Sequence, residues 1–252
     1  MFKLKKIVFI IIAVIVLSGC TNSNNNKLQA GQDNKSKEIS YTVNSDDGNK
    51  ILSAHIILPT GEICKSISDK INQYYENIED NYRQTIKNEL SKSAKESYYN
   101  SIQNQTAFRP YNIKSDFEIS YESENVISIV RNIKSYTGGL NENNEVYCDI
   151  FSKQTGEKLE LKDLFSKDYD YKSNILKIIE NKFNDIKNQN PDIFFDDANL
   201  YLSYALDNDM FYITKDKMVF VYPNYVLAPY SSGIQYIEID RKDLQKHFLK
   251  QW

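Results

Sequence analysis

The sequence predicts an α+β fold in which an antiparallel sheet, or sheets, packs against one long amphipathic helix and a second, shorter one. Two periodicities and their order carry this. Apolar residues alternate over 51–58 and again over 111–161, and between those stretches they recur every three or four residues. Helices and strands come in groups rather than in strict alternation, which separates α+β from α/β.

Ile51 to Leu58 reads as a strand with Leu52, Ala54, Ile56 and Leu58 on one face, ended by Pro59-Thr60-Gly61. From Ser66 the period lengthens: Ile67, Ile71, Tyr74, Ile78, Tyr82, Ile86 and Leu90 form one stripe. Ser66 and Asp69 have the spacing of a capping pair. At ~1.5 Å per residue a helix unbroken to Ser101 would be roughly 50 Å long, a structural spine whose tyrosines pack inward. Phe117-Ile119-Tyr121, Val126 to Ile133 and Val146 to Phe151 then alternate as an antiparallel meander. A second helix follows Asp170, with Ile175, Ile179, Phe183 and Ile186 on one face, and stops before Pro191. A hairpin of Met210 to Ile213 and Met218 to Tyr222, a strand Ile234 to Ile239, and a short helix from Arg241 carrying Leu244, Phe248 and Leu249 complete the chain. The stripe of the long helix is too wide for one hairpin to cover, and exposing it would cost about 25 cal/mol per Å². The helix is therefore expected on the meander, with the C-terminal half continuing from it. A fragment ending near Asn141 should be unstable alone.

Composition excludes several classes. Of 252 residues, 41% are hydrophobic and 26% charged, with 3 Cys, 8 Gly and 5 Pro, which rules out wholesale disorder, collagen and a disulfide-dense miniprotein. Two His exclude a His-rich metal centre, and neither a metal nor a cofactor is expected. Nineteen Tyr place hydroxyls in the core and on a binding face.

The N-terminus directs the chain out of the cytoplasm. Lys3, Lys5 and Lys6 precede an unbroken apolar run of 11 residues, Ile7 to Leu17. A spanning helix needs about 20, so the run has signal-peptide proportions. Leu17-Ser18-Gly19-Cys20 follows and looks like the lipobox of bacterial lipoproteins, in which the Cys20 thiol accepts a diacylglycerol. Residues 1–19 are read as a signal peptide, 20–37 as a polar tether, and the remainder as folded on the extracytoplasmic face of the cell membrane, anchored through the lipid on Cys20. Removing the leader leaves 28 basic and 34 acidic side chains, a net of −6. That charge argues against nucleic acid and favours a basic partner.

The chain has no Gly-rich phosphate loop, His-Glu-x-x-His helix, Gly-x-Ser-x-Gly elbow or Cys-x-x-Cys pair. No catalytic residue is assigned, and His55 and His247 are read as structural or surface residues. Asp192, Asp196, Asp197, Asp207 and Asp209 could supply a carboxylate pair for glycoside hydrolysis or a calcium site, although acidic loops facing water explain them more simply. Cys64 and Cys148 are compatible with a disulfide or with two buried free thiols.

Two loops are more specific. Ser135-Tyr136-Thr137-Gly138-Gly139 follows the second meander strand, and Leu227-Ala228-Pro229-Tyr230-Ser231-Ser232-Gly233 joins the last two strands. With the segment from Phe151 through Lys153-Gln154-Thr155-Gly156 to Asp163-Leu164-Phe165, they resemble the extracytoplasmic domain shared by the anti-sigma factor RsiV and the noncatalytic part of the peptidoglycan deacetylase PdaC. The resemblance runs from about residue 40 to 245 and implies an N-terminal portion over 38–140 and a C-terminal portion over 141–252, packed together. It also implies a lysozyme-like protein as partner, with peptidoglycan as the other choice. Family members often continue Tyr-Thr-Gly-Gly with Ala-His, where this chain has Leu140-Asn141. Only six residues precede the apolar run, so the sigma-factor-holding role is not carried over, and neither is the deacetylation chemistry. The expectation is a noncatalytic binding or sensing module of the cell envelope, with Tyr136, Gly138, Gly139, Tyr225, Pro229 and Tyr230 as its binding residues. The alternative is a peptidoglycan hydrolase using paired carboxylates such as Asp196 and Asp207.

Overall fold

The computed structural model describes residues 35–244 and 247–248. The leader, Cys20 and Leu249 lie outside them. The described residues fall within one compact unit.

Strands β1 (Ser36–Asn44) and β2 (Lys50–Pro59) form an antiparallel hairpin closed by the Ser45 to Asn49 turn. Ile39 is buried in β1, with Tyr41 and Val43 packed beside it, and the Lys37 ammonium reaches the buried carboxylate of Glu79 at 2.5 Å. The tether expected through residue 37 thus gives way to a strand two residues earlier, because this alternation has a helix to cover it. In β2 the predicted face of Leu52, Ala54, Ile56 and Leu58 is buried.

Two 3-10 turns lead into α1 (Ser68–Gln84), a π-helical segment over Thr85–Leu90, and α2 (Ser91–Gln103). The capping pair expected of Ser66 and Asp69 is absent. The α-helix begins at Ser68 without a side-chain cap, and the Ser66 hydroxyl donates to the Lys153 carbonyl instead. The expected stripe runs from Ile71 to Ile86 and continues through Ala94 and Tyr98 beyond the π segment. A π turn inserts extra backbone into the ladder and so re-phases the buried face.

The spine returns the chain to β3 (Tyr111–Glu122), which pairs with β2 in parallel, Leu52 against Tyr111. Strands β4 (Val126–Tyr136) and β5 (Asn143–Ser152) extend it antiparallel, giving a sheet of order β1-β2-β3-β4-β5. Alternate residues face opposite sides. Ile127, Ile129, Ile133 and Phe151 pack on the long helix, whereas Val126, Val130, Val146 and Ile150 pack on the C-terminal half.

That half opens with α3 (Tyr171–Gln189), whose N-cap Asp170 accepts from the Ser173 amide and whose Ile175, Ile179 and Phe183 are buried, as the periodicity predicts. A single turn α4 (Tyr204–Asp207) precedes a three-stranded antiparallel sheet of β6 (Phe211–Ile213), β7 (Lys217–Tyr222) and β8 (Gln235–Asp240). It lies against the face of the large sheet opposite the long helix, where the Ile213 amide donates to Ser128 Oγ at 3.2 Å. The one-turn α5 (Arg241–Leu244) buries Leu244, and Phe248 stacks on Phe165 with ring centroids 5.1 Å apart.

Candidate binding surface

The loop after β4 is built around Tyr136. Its ring lies edge-on to Tyr111 at 6.1 Å, the Arg109 guanidinium sits 3.9 Å above it, and its hydroxyl donates to the Gly139 carbonyl. Gly138 has φ +100 and Gly139 φ +92, a region that side chains strain to enter, and a Cβ on Gly138 would come within 2.9 Å of Tyr111 Oη. These glycines let the backbone turn across the Tyr111 hydroxyl. The turn leaves Leu140 96% exposed at its tip.

The loop between β7 and β8 meets it. Pro229, extended at φ −65, starts the 3-10 turn Tyr230–Ser232, and the Tyr230 hydroxyl donates to the Glu142 carbonyl. Glu142 in turn pairs with Arg109. Tyr225 lies 6.2 Å from Tyr230, ring to ring, and is 64% exposed. Its backbone sits at φ +68, and the neighbouring Asn224 amide is buried with neither Nδ2 nor Oδ1 hydrogen-bonded. Strained backbone beside an unsatisfied buried amide stores free energy that functional loops commonly carry. The Tyr230 to Glu142 hydrogen bond thus joins the loop that carries Tyr136, Gly138 and Gly139 to the loop that carries Tyr225, Pro229 and Tyr230. Tyr136 and Tyr230 support the loops, while Leu140 and Tyr225 face solvent.

The candidate disulfide is not formed: Cys64 and Cys148 are free thiols. Cys64 packs in the core beneath the long helix, and Cys148 belongs with Val130, Val146 and Val221 on the opposite face of the sheet. The sheet itself stands between them. Burial pushes the Cys148 thiol up to about 12.

The acidic residues are held by separate partners or face solvent. Asp207 pairs with Lys172 at 3.0 Å, and that hydrogen bond holds its carboxyl below the usual range. Asp209 accepts from the Leu161 amide at 2.8 Å, and Asp196 and Asp197 are exposed on the segment before α4. Among the described residues no group of three or more His, Cys, Asp and Glu is placed to hold a metal ion. His55 is exposed beside Ser40, and His247 stacks on Tyr169 at 3.9 Å.

A second polar centre escaped the sequence reading. Asp149, fully buried on β5, accepts from Tyr74 and Lys158 on Oδ1, both at 2.8 Å. Oδ2 accepts from Arg131 at 2.7 Å and Tyr75 at 3.1 Å. Burial alone would raise the Asp149 pKa, but the charges of Arg131 and Lys158 outweigh it and hold the carboxyl below its ordinary value. Burial, and then the Asp149 charge, raise Tyr74 and Tyr75. The signal was present in the sequence: Arg131 shares a strand face with Ile127, Ile129 and Ile133, and Asp149 shares one with Phe151. A cation and an anion facing the covered side of neighbouring strands call for each other.

Residues 45–143 match the family model described as deacetylase PdaC, and residues 162–242 match that of a protein family of unknown function, DUF3298. The two matches fall on separate stretches of the chain, the first similar to PdaC and the second to DUF3298. A crystal structure of a DUF3298 family member from Bacteroides fragilis NCTC 9343 superposes with a TM-score of 0.64 at 17% identity, covering 86% of this chain and 93% of that one. A DUF3298 family protein from Pseudomonas aeruginosa PAO1 gives 0.50 at 12% identity, covering 86% and 94%. At these identities the likeness is one of fold. No curated protein matches the chain. PdaC-like domains are extracytoplasmic in their family context, and among the described residues no helix is long and apolar enough to cross a membrane. The Tyr230 to Glu142 hydrogen bond ties the stretch that matches DUF3298 to the end of the stretch that matches PdaC, and the Lys158 to Asp149 pair lies within the segment between the two matches.

Proposed function

We propose that the protein is a lipid-anchored, noncatalytic binding module of the bacterial envelope that uses the Leu140 and Tyr225 face to hold a basic, lysozyme-like protein. The single observation behind this is the Tyr230 to Glu142 hydrogen bond that joins the two loops, one carrying the exposed Leu140 and the other the exposed Tyr225. Exposed aromatic and aliphatic side chains on a fixed backbone gain contact area at low entropic cost. The net charge of −6 on the chain after Cys20 would steer a cationic partner. The lipid on Cys20 would keep the surface at the membrane.

Purified protein is mixed with lysozyme and, separately, with insoluble peptidoglycan, and binding is measured for the wild type, Leu140→Glu and Tyr225→Ala. Lysozyme binding weakened at least tenfold by either change supports the reading. Binding to peptidoglycan alone makes the wall glycan the partner. Release of soluble fragments from peptidoglycan, abolished in Asp196→Asn or Asp207→Asn, would establish the hydrolase instead. Anchoring has its own check, since metabolic fatty-acid labelling must disappear in Cys20→Ala.

A further inference from the structure

A groove of about 460 Å³ lies between the π segment of the long helix and strands β4 and β5. Concavities of that size take small molecules. Thr85, Ile86 and Leu90 of the π segment line it, and π turns recur beside functional sites.

Its charged lining residues are Arg131 and Glu145. Arg131 stands opposite Tyr147 in the ladder, so Asp149 is its diagonal neighbour on one side and Glu145 on the other. Diagonal neighbours are roughly 7–8 Å apart. Towards Asp149 the guanidinium uses Nε alone, at 2.7 Å. Among the described residues its terminal nitrogens have no hydrogen-bond partner. They are not sealed in the core either, because the buried side-chain atoms left without a partner belong to Asn224. Donors of this kind, bordering a groove, await an acceptor from outside. Glu145 does not supply it: its carboxylate accepts instead from the Tyr147 hydroxyl at 2.9 Å and from the Asn143 amide. The Tyr147 ring centre lies 5.0 Å from the guanidinium. Tyr82 is close to both charges: burial raises its pKa, the Arg131 charge lowers it and the Glu145 charge raises it.

The charges decide what kind of molecule fits. Arg131 and Lys158 are matched by Asp149 and Glu145, so the surroundings have no net charge to offer. A lone anion drawn to Arg131 meets Glu145, and a lone cation drawn to Glu145 meets Arg131. A small molecule carrying one charge of each sign meets its opposite at both ends. Ile86, Ile113 and Ile133 add an aliphatic wall and Tyr82 an aromatic one, which call for an apolar body.

We propose that this groove binds a free α-amino acid with a large apolar side chain. The carboxylate accepts from the terminal nitrogens of Arg131 and from the Tyr82 hydroxyl, the ammonium donates to Glu145, and the side chain packs on Ile86, Ile113 and Ile133. The assignment is independent of what the Leu140 and Tyr225 face holds.

The test titrates the full chain with L-phenylalanine by calorimetry and saturation-transfer NMR. Three further compounds each lack one feature: 3-phenylpropionate the ammonium, phenethylamine the carboxylate, and L-serine the apolar body. Saturable binding of phenylalanine is expected, with the ring protons receiving the strongest transfer and each of the three compounds at least tenfold weaker. Glu145→Gln should weaken phenylalanine at least tenfold and strengthen 3-phenylpropionate, because the repulsion of its carboxylate is removed. Asn81→Trp, on the exposed rim of the helix, fills the mouth and should weaken phenylalanine at least tenfold with an unchanged thermal midpoint. Leu140→Glu should leave the binding intact. No saturable binding of phenylalanine, equal binding of 3-phenylpropionate or phenethylamine, or undiminished binding by Glu145→Gln overturns the proposal.

Discussion

Arg131 on β4 and Asp149 on β5 are diagonal neighbours across the sheet, joined at 2.7 Å where the long helix covers them. Both charges are buried, so each depends on the other to offset the loss of water. Asp149→Ala should cost about 3–5 kcal/mol in chemical denaturation, the usual penalty for orphaning a buried charge. The double variant Arg131→Met with Asp149→Leu is expected to cost less than the two single changes summed. Simple additivity would show that the pair is not coupled.

Acid should act through the same carboxyl. The folded pKa of Asp149 lies below its unfolded value near 3.8, so between the two values the unfolded chain binds more protons. The stabilisation is complete above the unfolded pKa and is lost as pH falls through the folded one. Stability measured from pH 5 downward should drop more gently in Asp149→Asn than in the wild type. Equal slopes would assign acid sensitivity to other carboxylates, Glu79 with Lys37 and Arg83 being the next buried case.

Gly138 and Gly139 share a left-handed backbone but differ in surroundings. Gly139→Ala meets nothing within 4 Å and incurs conformational strain alone, whereas Gly138→Ala also drives its methyl into Tyr111 Oη. Gly138→Ala should therefore lose more stability, by about 1 kcal/mol or more beyond the strain of roughly 1–3 kcal/mol common to both. Adding Tyr111→Phe should recover part of that excess. An equal loss in the two single variants would place the whole cost in the backbone.

Cys148 should resist alkylation in the native protein. Its thiol is pushed up to about 12, first by burial and then by the nearby Asp149 charge, so almost no thiolate forms at pH 8. Iodoacetamide followed by peptide mapping should label Cys148 only after unfolding. Oxidation of the native protein should not link it to Cys64.

Elements governed by short-range signals were legible in the sequence. Asp170 opening α3, the buried face of β2 and the three meander strands all follow from neighbours within a few residues. Features that depend on distant partners were not. Ser36 and Lys37 look like tether until Glu79, far along the chain, gives Lys37 a buried carboxylate. The parallel pairing of β2 with β3 leaves no local trace, and the π segment reads as ordinary helix. The two loops of the candidate surface could be picked out by their Gly, Pro and Tyr content, but their meeting through Tyr230 and Glu142 is a tertiary fact. The Arg131 and Asp149 centre was overlooked because each residue, taken alone, is one charge among many.

The parallel joint between Leu52 and Tyr111 also sets a kinetic order. β3, β4 and β5 are linked by short turns and can pair early, whereas β2 can dock on β3 only after the whole intervening spine has closed a loop of some 59 residues. The N-terminal hairpin is thus expected to join late in folding. Truncating Leu52 to Ala should accelerate unfolding and leave the refolding rate nearly unchanged, while Ile129→Ala in the meander should slow refolding. Stopped-flow chevrons of the two variants would read that order directly, and a slowed refolding limb for Leu52→Ala would reverse it.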